Sequence, residues 1–153
     1  MKSQKITKYL IIATILVIWG QSMLRSEASL AESDTLLKIL NPFEGVEIGD
    51  INSDMYLLMS ELIRKAAHVF EYAVLGAELM IYRYFRSGLP SKTDEKIQLL
   101  ISGMLVAMFD ETIQVFSHRG SSVTDVWIDT TGVFLGLLVS RLVIKLINNK
   151  KHK

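Results

Sequence analysis

His68 and Glu71 lie three residues apart in a mostly apolar stretch, where their side chains could exchange a proton or bind a metal ion. Imidazole nitrogens and carboxylate oxygens are common ligands of Zn²⁺ and Mn²⁺, and Asp110, Glu111 or Asp129 could complete such a set. The alternative is a purely structural role, in which His68 forms hydrogen bonds that hold helices together. Because a single histidine is a weak metal signature, proton transfer and structural pairing both rank ahead of metal binding. No particular cofactor follows from these residues.

Asp110 and Glu111 are a second candidate pair for acid and base chemistry. Burial and mutual repulsion can move the pKa values of neighbouring carboxylates apart, so that one acts as an acid and the other as a base. Consecutive residues on a helix point about 100° apart. One of the two carboxylates could therefore face a different partner, and the sequence leaves both possibilities open. The candidate catalytic residues are His68, Glu71, Asp110 and Glu111, and whether catalysis occurs stays undecided.

Three basic residues, Arg64, Lys65 and Arg119, could hold an anionic ligand. A guanidinium binds a phosphate or carboxylate through two parallel hydrogen bonds. Arg64 and Lys65 could bind a lipid phosphate, or they could neutralise nearby acids. For Arg119 the equal alternative is a salt bridge to Asp125.

The composition excludes several classes of protein. Half of the 153 residues are hydrophobic and there is no cysteine, so disulfides, thiolate zinc sites and cysteine nucleophiles are excluded. A net charge of +1 with no basic patch gives no indication of nucleic-acid binding. The chain is short for two domains, and we expect residues 1–153 to form one membrane domain.

Four apolar runs approach the roughly 20 residues that a helix needs to cross a bilayer. The predicted spans are about 9–24, 66–85, 97–116 and 126–147. The second belongs to a longer helix that starts after Ser53-Asp54. Ser91 with Asp94, and Ser122 with Asp125, resemble capping boxes at the starts of the last two. The sequence therefore predicts an all-α, integral membrane four-helix bundle.

The distribution of charge predicts how the bundle is oriented. Lys and Arg are concentrated before the first span, in the loop 83–96 and in the carboxyl-terminal tail, so we expect these parts and both termini to be cytoplasmic. Segment 25–61 is rich in acids and is predicted to be extracytoplasmic. The first span also resembles a signal peptide with Ser26-Glu27-Ala28 as a cleavage site, but we favour an uncleaved anchor.

This orientation brings polar residues of three spans to one depth near the extracytoplasmic face. Unpaired charges inside a bilayer are costly, so the side chains must face inward and pair. Carboxylates outnumber the available cations, which requires a protonated histidine, a protonated acid or a bound cation. We expect the ligand-binding residues to be Arg64, Lys65, His68, Glu71, Tyr72, Asp110, Glu111, Gln114, Arg119, Asp125 and Asp129, with His68, Glu71 and Glu111 as weak metal candidates.

Three ordered motifs give the chain a resemblance to the VanZ-like family of small bacterial membrane proteins. They are Arg-Lys-x-x-His-x-x-Glu-Tyr from Arg64, Asp-Glu-x-x-Gln from Asp110 followed by Arg119, and Asp-x-x-x-Asp-x-x-Gly-x-x-x-Gly from Asp125. Where the family usually has Pro-Gly before the arginine, this chain has Ser117-His118. The resemblance implies a multi-pass membrane protein and, through the name-giving member, tolerance of teicoplanin. It assigns no catalytic residue.

These observations favour a protein of the bacterial cytoplasmic membrane whose polar cavity binds a membrane lipid, a lipid-linked cell-wall precursor or an amphiphilic glycopeptide. The first alternative is an intramembrane enzyme that acts on a lipid headgroup by acid/base or metal-assisted chemistry. The second is a non-catalytic accessory subunit whose ion pairs serve only its fold. A charge-swapped pair should preserve function only in the accessory subunit.

Overall fold

The computed structural model describes residues 2–23, 53–116 and 122–151. Within these ranges the chain is helical and has no strands, which confirms the all-α prediction. The helices are α1 (Lys2–Ser22), α2 (Ser53–Ser87), α3 (Thr93–Phe116) and α4 (Val123–Lys151). That the whole chain forms one domain stays a prediction.

The predicted spans 66–85, 97–116 and 126–147 lie within α2, α3 and α4. The start of α2 at Ser53 agrees with the predicted cap, so the last part of segment 25–61 is helical. Most of that segment lies outside the described residues. Two of the described helices, α3 and α4, are long and apolar enough to cross a membrane by length and composition. The spanning roles of α1 and α2, and the positions of the termini, stay predictions.

The bundle exposes many large apolar side chains and buries several carboxylates, a distribution that is unusual for a soluble protein. Phe109 is 58% exposed, whereas the neighbouring Asp110 is 0% exposed. Along α4, Phe134 and Val139 are exposed while Asp129 and Ser140 are buried. Burying a carboxylate while exposing a phenyl ring is unfavourable in water and favourable in lipid. The distribution therefore fits a protein surrounded by membrane.

Helices α2 and α4 touch at backbone level through glycines. A Cβ built on Gly136 would overlap the carbonyl oxygen of Ala73 and lie 2.7 Å from its carbonyl carbon. A Cβ on Gly132 would lie 3.0 Å from the Cβ of Tyr72, and Gly76 faces the backbone of Val133 in the same way. Gly132 and Gly136 thus allow α2 and α4 to pack closely.

Helix α1 packs against α2 and α3 through both apolar and polar contacts. Ile18 is buried, and the Trp19 indole donates a hydrogen bond to the carbonyl of Val106 at 3.5 Å. The Thr14 hydroxyl donates to Glu78 at 3.0 Å. Glu78, which lies deep in the second predicted span, thus has a partner on α1.

The turn between α2 and α3 is fixed by Gly88 and Glu95. Gly88 has a φ of 79°, a left-handed conformation that suits glycine at the end of a helix. Glu95 accepts hydrogen bonds from the Ser91 backbone at 3.0 Å and from Arg83 at 2.8 Å. The predicted pairing of Ser91 with Asp94 is therefore wrong: the carboxylate one residue later reaches back to Ser91.

Replacing Glu95 with alanine should lower the free energy of unfolding by about 1 kcal/mol, since it removes a helix cap and an ion pair. Asp94→Ala is the matched control, because the exposed Asp94 shares the helix start without these bonds. Thermal unfolding of both variants in detergent measures the difference. Equal midpoints for the two variants would contradict this role of Glu95.

Candidate functional site

Side chains from α2, α3 and α4 meet in a buried group that we call the polar cluster: His68, Tyr72, Asp110, Gln114 and Asp129. His68 Nδ1 lies 4.0 Å from Asp110 Oδ2 and 4.0 Å from Asp129 Oδ1. The two carboxylates are almost completely buried, at 0% and 2% exposure. His68 and Tyr72 are four residues apart and therefore lie on one face of α2. Asp110 and Gln114 have the same spacing on α3.

Gln114 connects the cluster to α1. Its Nε2 donates to Asp110 Oδ2 at 3.1 Å and lies 3.4 Å from Ser22 Oγ, which is fully buried. The amide thereby orients the Asp110 carboxylate, and the end of α1 closes one side of the site. Ser22 was missed in the sequence, where the only signal was a serine at the end of the first span.

Glu111 holds the turn to α4. Its Oε2 accepts a hydrogen bond from the Ser122 backbone at 3.0 Å. Ser122 in turn caps α4, because its hydroxyl accepts from the Thr124 backbone at 3.1 Å. The capping role predicted for Ser122 is confirmed, but the Asp125 side chain contacts Lys65 instead of completing the box. The adjacent Asp110 and Glu111 thus reach different partners.

Lys65 links the start of α4 to α2. Its Nζ lies 2.9 Å from Glu61 and 3.6 Å from Asp125. The hydrogen bond from Lys65 lowers the pKa of Glu61, and the bond to Glu61 together with the charge of Asp125 raises the pKa of Lys65. Among the described residues Arg64 has no ion-pair partner. Arg119 lies outside them, so its predicted contact with Asp125 stays a prediction.

Tyr72 and Glu71 follow His68 on α2. Tyr72 is 0% exposed, and its hydroxyl has no hydrogen-bond partner among the described residues. This hydroxyl lies within electrostatic range of Asp110 and Asp129. Glu71 is half-buried, and its carboxylate is also within electrostatic range of the Tyr72 hydroxyl. A buried donor without an acceptor is uncommon in proteins, so the Tyr72 hydroxyl is suited to a ligand.

Among the described residues, acids outnumber cations in and around the cluster. The Asp129 carboxylate is within electrostatic range of four others, those of Glu71, Asp110, Glu111 and Asp125. The cations described nearby are Lys65, Arg64 and, when protonated, His68. A proton shared among the acids, a protonated histidine or a bound positive group would restore the balance.

The three atoms best placed for a metal ion are His68 Nδ1 and one carboxylate oxygen each of Asp110 and Asp129, which lie within 4.8 Å of one another. Bonds from Zn²⁺ to nitrogen and oxygen are about 2.0–2.2 Å long, so small side-chain movements would bring three ligands to one ion. Of the weak metal candidates His68, Glu71 and Glu111, His68 belongs to this group of three.

A comparison of the sequence with known protein families identifies the family that the motifs of this site indicate. The family model described as VanZ/LLP1 matches residues 7–145, which include all four helices' central parts. Neither a curated protein nor a solved structure matches the chain. The family match covers most of the sequence and spans every residue of the polar cluster. The chain therefore belongs to the VanZ/LLP1 family.

Proposed function

We propose that this protein contributes to tolerance of teicoplanin-type glycopeptides by binding the headgroup of a lipid-linked envelope component in the polar cluster. The observation that carries the proposal is the fully buried Tyr72 hydroxyl, which faces carboxylates and lacks a partner in the described structure. Such a site is suited to a polar group that enters from the membrane. Membership of the VanZ/LLP1 family supports the link to resistance.

The polar residues suit different parts of such a headgroup. Arg64, which has no described ion-pair partner, and Lys65 supply positive charge for a phosphate. The carboxylates of Asp110 and Asp129 suit sugar hydroxyls or an amine. A free antibiotic could use the same acids through its cationic groups, but it would make less use of Arg64.

By the positive-inside rule the cluster lies toward the extracytoplasmic face, where cell-wall precursors and glycopeptides are both present. The protein would then act in the outer leaflet of the bacterial cytoplasmic membrane.

The proposal predicts that Arg64→Ala and Arg119→Ala each remove the tolerance that the native protein confers. Loss of one charged hydrogen bond of about 1.5–3 kcal/mol should weaken phosphate binding about tenfold or more. The measurement is the minimal inhibitory concentration of teicoplanin in cells that express each variant at native abundance. Arg86→Ala is the control, because Arg86 lies at the opposite end of α2. Native tolerance in both Arg64→Ala and Arg119→Ala cells would overturn the proposal.

The occupant can be identified with purified protein. Tight binding of an undecaprenyl-linked precursor, reduced by Arg64→Ala, would support the lipid-linked ligand. Binding of teicoplanin alone, unchanged by Arg64→Ala, would replace that ligand with the antibiotic.

A second candidate function is an intramembrane enzyme that acts on a lipid headgroup, and the grouping of His68, Asp110 and Asp129 favours it. Elemental analysis of purified protein should then find about one Zn²⁺ or Mn²⁺ per chain, lost in Asp129→Asn and retained in Asp94→Asn. Incubation with lipid-linked precursors would have to release a water-soluble product. Protein with neither metal nor turnover would leave the binding function as the better explanation.

A further inference from the structure

A groove of about 220 Å³ lies between α3 and α4 at the end of the bundle away from the polar cluster. Its walls are apolar, with Ile97 and Leu100 on α3 and Phe134 and Leu138 on α4. Two cations, Lys96 and Arg141, line the same groove. The groove thus combines a long apolar surface with positive charge.

The charges are at one end of the groove because α3 and α4 are antiparallel neighbours. Lys96 is near the start of α3, and Arg141 lies ten residues before the end of α4, whereas Phe134 lies two turns earlier than Arg141. Asp110 is fourteen residues beyond Lys96, about 21 Å along α3. The groove is therefore separate from the polar cluster.

Neither cation has an ion-pair partner among the described residues, where Lys65, His68 and Arg83 are the basic residues that contact carboxylates. Arg141 lies six residues inside the predicted end of the fourth span, about 9 Å along the helix. A guanidinium at that depth is unfavourable in hydrocarbon unless an anion or water reaches it. An anion held next to Arg141 would remove this cost.

We propose that the groove binds an anionic phospholipid, with an acyl chain along the apolar walls and the phosphate between Lys96 and Arg141. Basic pockets between membrane helices on the cytoplasmic side bind anionic headgroups in this way. A zwitterionic lipid fits less well because its own cation competes for the phosphate. An apolar helix from a second copy would cover both cations without neutralising them.

The test uses the full chain in phosphatidylcholine vesicles that contain a trace of spin-labelled phosphatidylglycerol or spin-labelled phosphatidylcholine. The fraction of label held immobile by the protein gives the relative affinity for each lipid. The native protein should prefer phosphatidylglycerol, and Lys96→Gln or Arg141→Gln should each reduce the preference about fivefold, the ratio that corresponds to 1 kcal/mol per cation.

Two variants distinguish lipid binding in the groove from general attraction of anionic lipid to surface charge. Arg86→Gln removes an exposed cation at the same end of the bundle that does not line the groove, so it should keep the preference. Arg141→Lys should keep most of it. Equal losses in Arg86→Gln and Arg141→Gln, or no preference in the native protein, would overturn the proposal. Arg141→Gln removes a charge from a membrane span, so folding should survive, and a monodisperse elution peak verifies this.

Discussion

Gly136→Leu is expected to abolish the folded protein in the membrane. A Cβ at this position would overlap the Ala73 carbonyl and lie 2.9 Å from the Ala77 backbone nitrogen, so the leucine would meet backbone on the facing helix. Backbone cannot rotate away as a side chain can, and α2 would have to separate from α4. Overpacking costs about 1–3 kcal/mol when side chains can adjust, and we expect the upper limit or more here. The measurement is the fraction of protein that elutes as a monodisperse peak in mild detergent.

Gly20→Leu is the matched control, because a Cβ on Gly20 meets no atom within 4 Å. Both changes put the same side chain into an apolar helix, so insertion into the membrane should be equally efficient. Folded Gly136→Leu protein at the level of the Gly20→Leu control would show that α2 and α4 do not pack in this way.

The sequence was sufficient to predict the helices and the convergence of their charges, for a physical reason. Spans with few charges must be helical in lipid, because every backbone polar group needs an internal partner. Charges inside such spans must meet, since isolated ones are too costly. Those two constraints place His68, Asp110 and Asp129 together from depth and helical phase alone, and the structure brings them within ion-pair distance.

The individual pairings were not predictable, because they depend on helix rotations and side-chain rotamers that charge and spacing leave free. Asp125 contacts Lys65, a pairing that the sequence did not single out. Glu111 accepts a hydrogen bond from the Ser122 backbone. At the start of α3, a shift of one residue moves the cap from Asp94 to Glu95. In each case several partners lay within reach.

The two ends of the bundle carry opposite electrostatic imbalances. Among the described residues, the polar cluster and its surroundings have more acids than cations, whereas the groove holds two cations without an ion-pair partner. The acids of the cluster are therefore suited to the sugar hydroxyls or an amine of the proposed headgroup, whose phosphate would lie at Arg64 and Lys65, whereas the groove is suited to an anionic headgroup. Variants at one end should leave ligand binding at the other unchanged.

Asp110→Asn is expected to remove tolerance of teicoplanin while leaving the protein folded. Asparagine has nearly the same shape, and its carbonyl oxygen can still accept the hydrogen bond that Gln114 donates to Asp110. The variant loses the negative charge that faces His68 and the proposed ligand. A hydrogen bond to a charged group contributes about 1.5–3 kcal/mol, so ligand affinity should fall about tenfold or more.

The thermal stability of Asp110→Asn should not fall with its ligand affinity, which distinguishes loss of binding from misfolding. Removing one of several mutually repelling buried carboxylates should maintain or raise the unfolding temperature. Asp94→Asn is the control, since it makes the same change on an exposed part of α3 and should alter neither property. Teicoplanin inhibitory concentrations and thermal unfolding are measured on the same set of variants. Undiminished tolerance in Asp110→Asn cells would exclude a ligand that depends on the Asp110 charge, and a lowered unfolding temperature would make that carboxylate a structural residue.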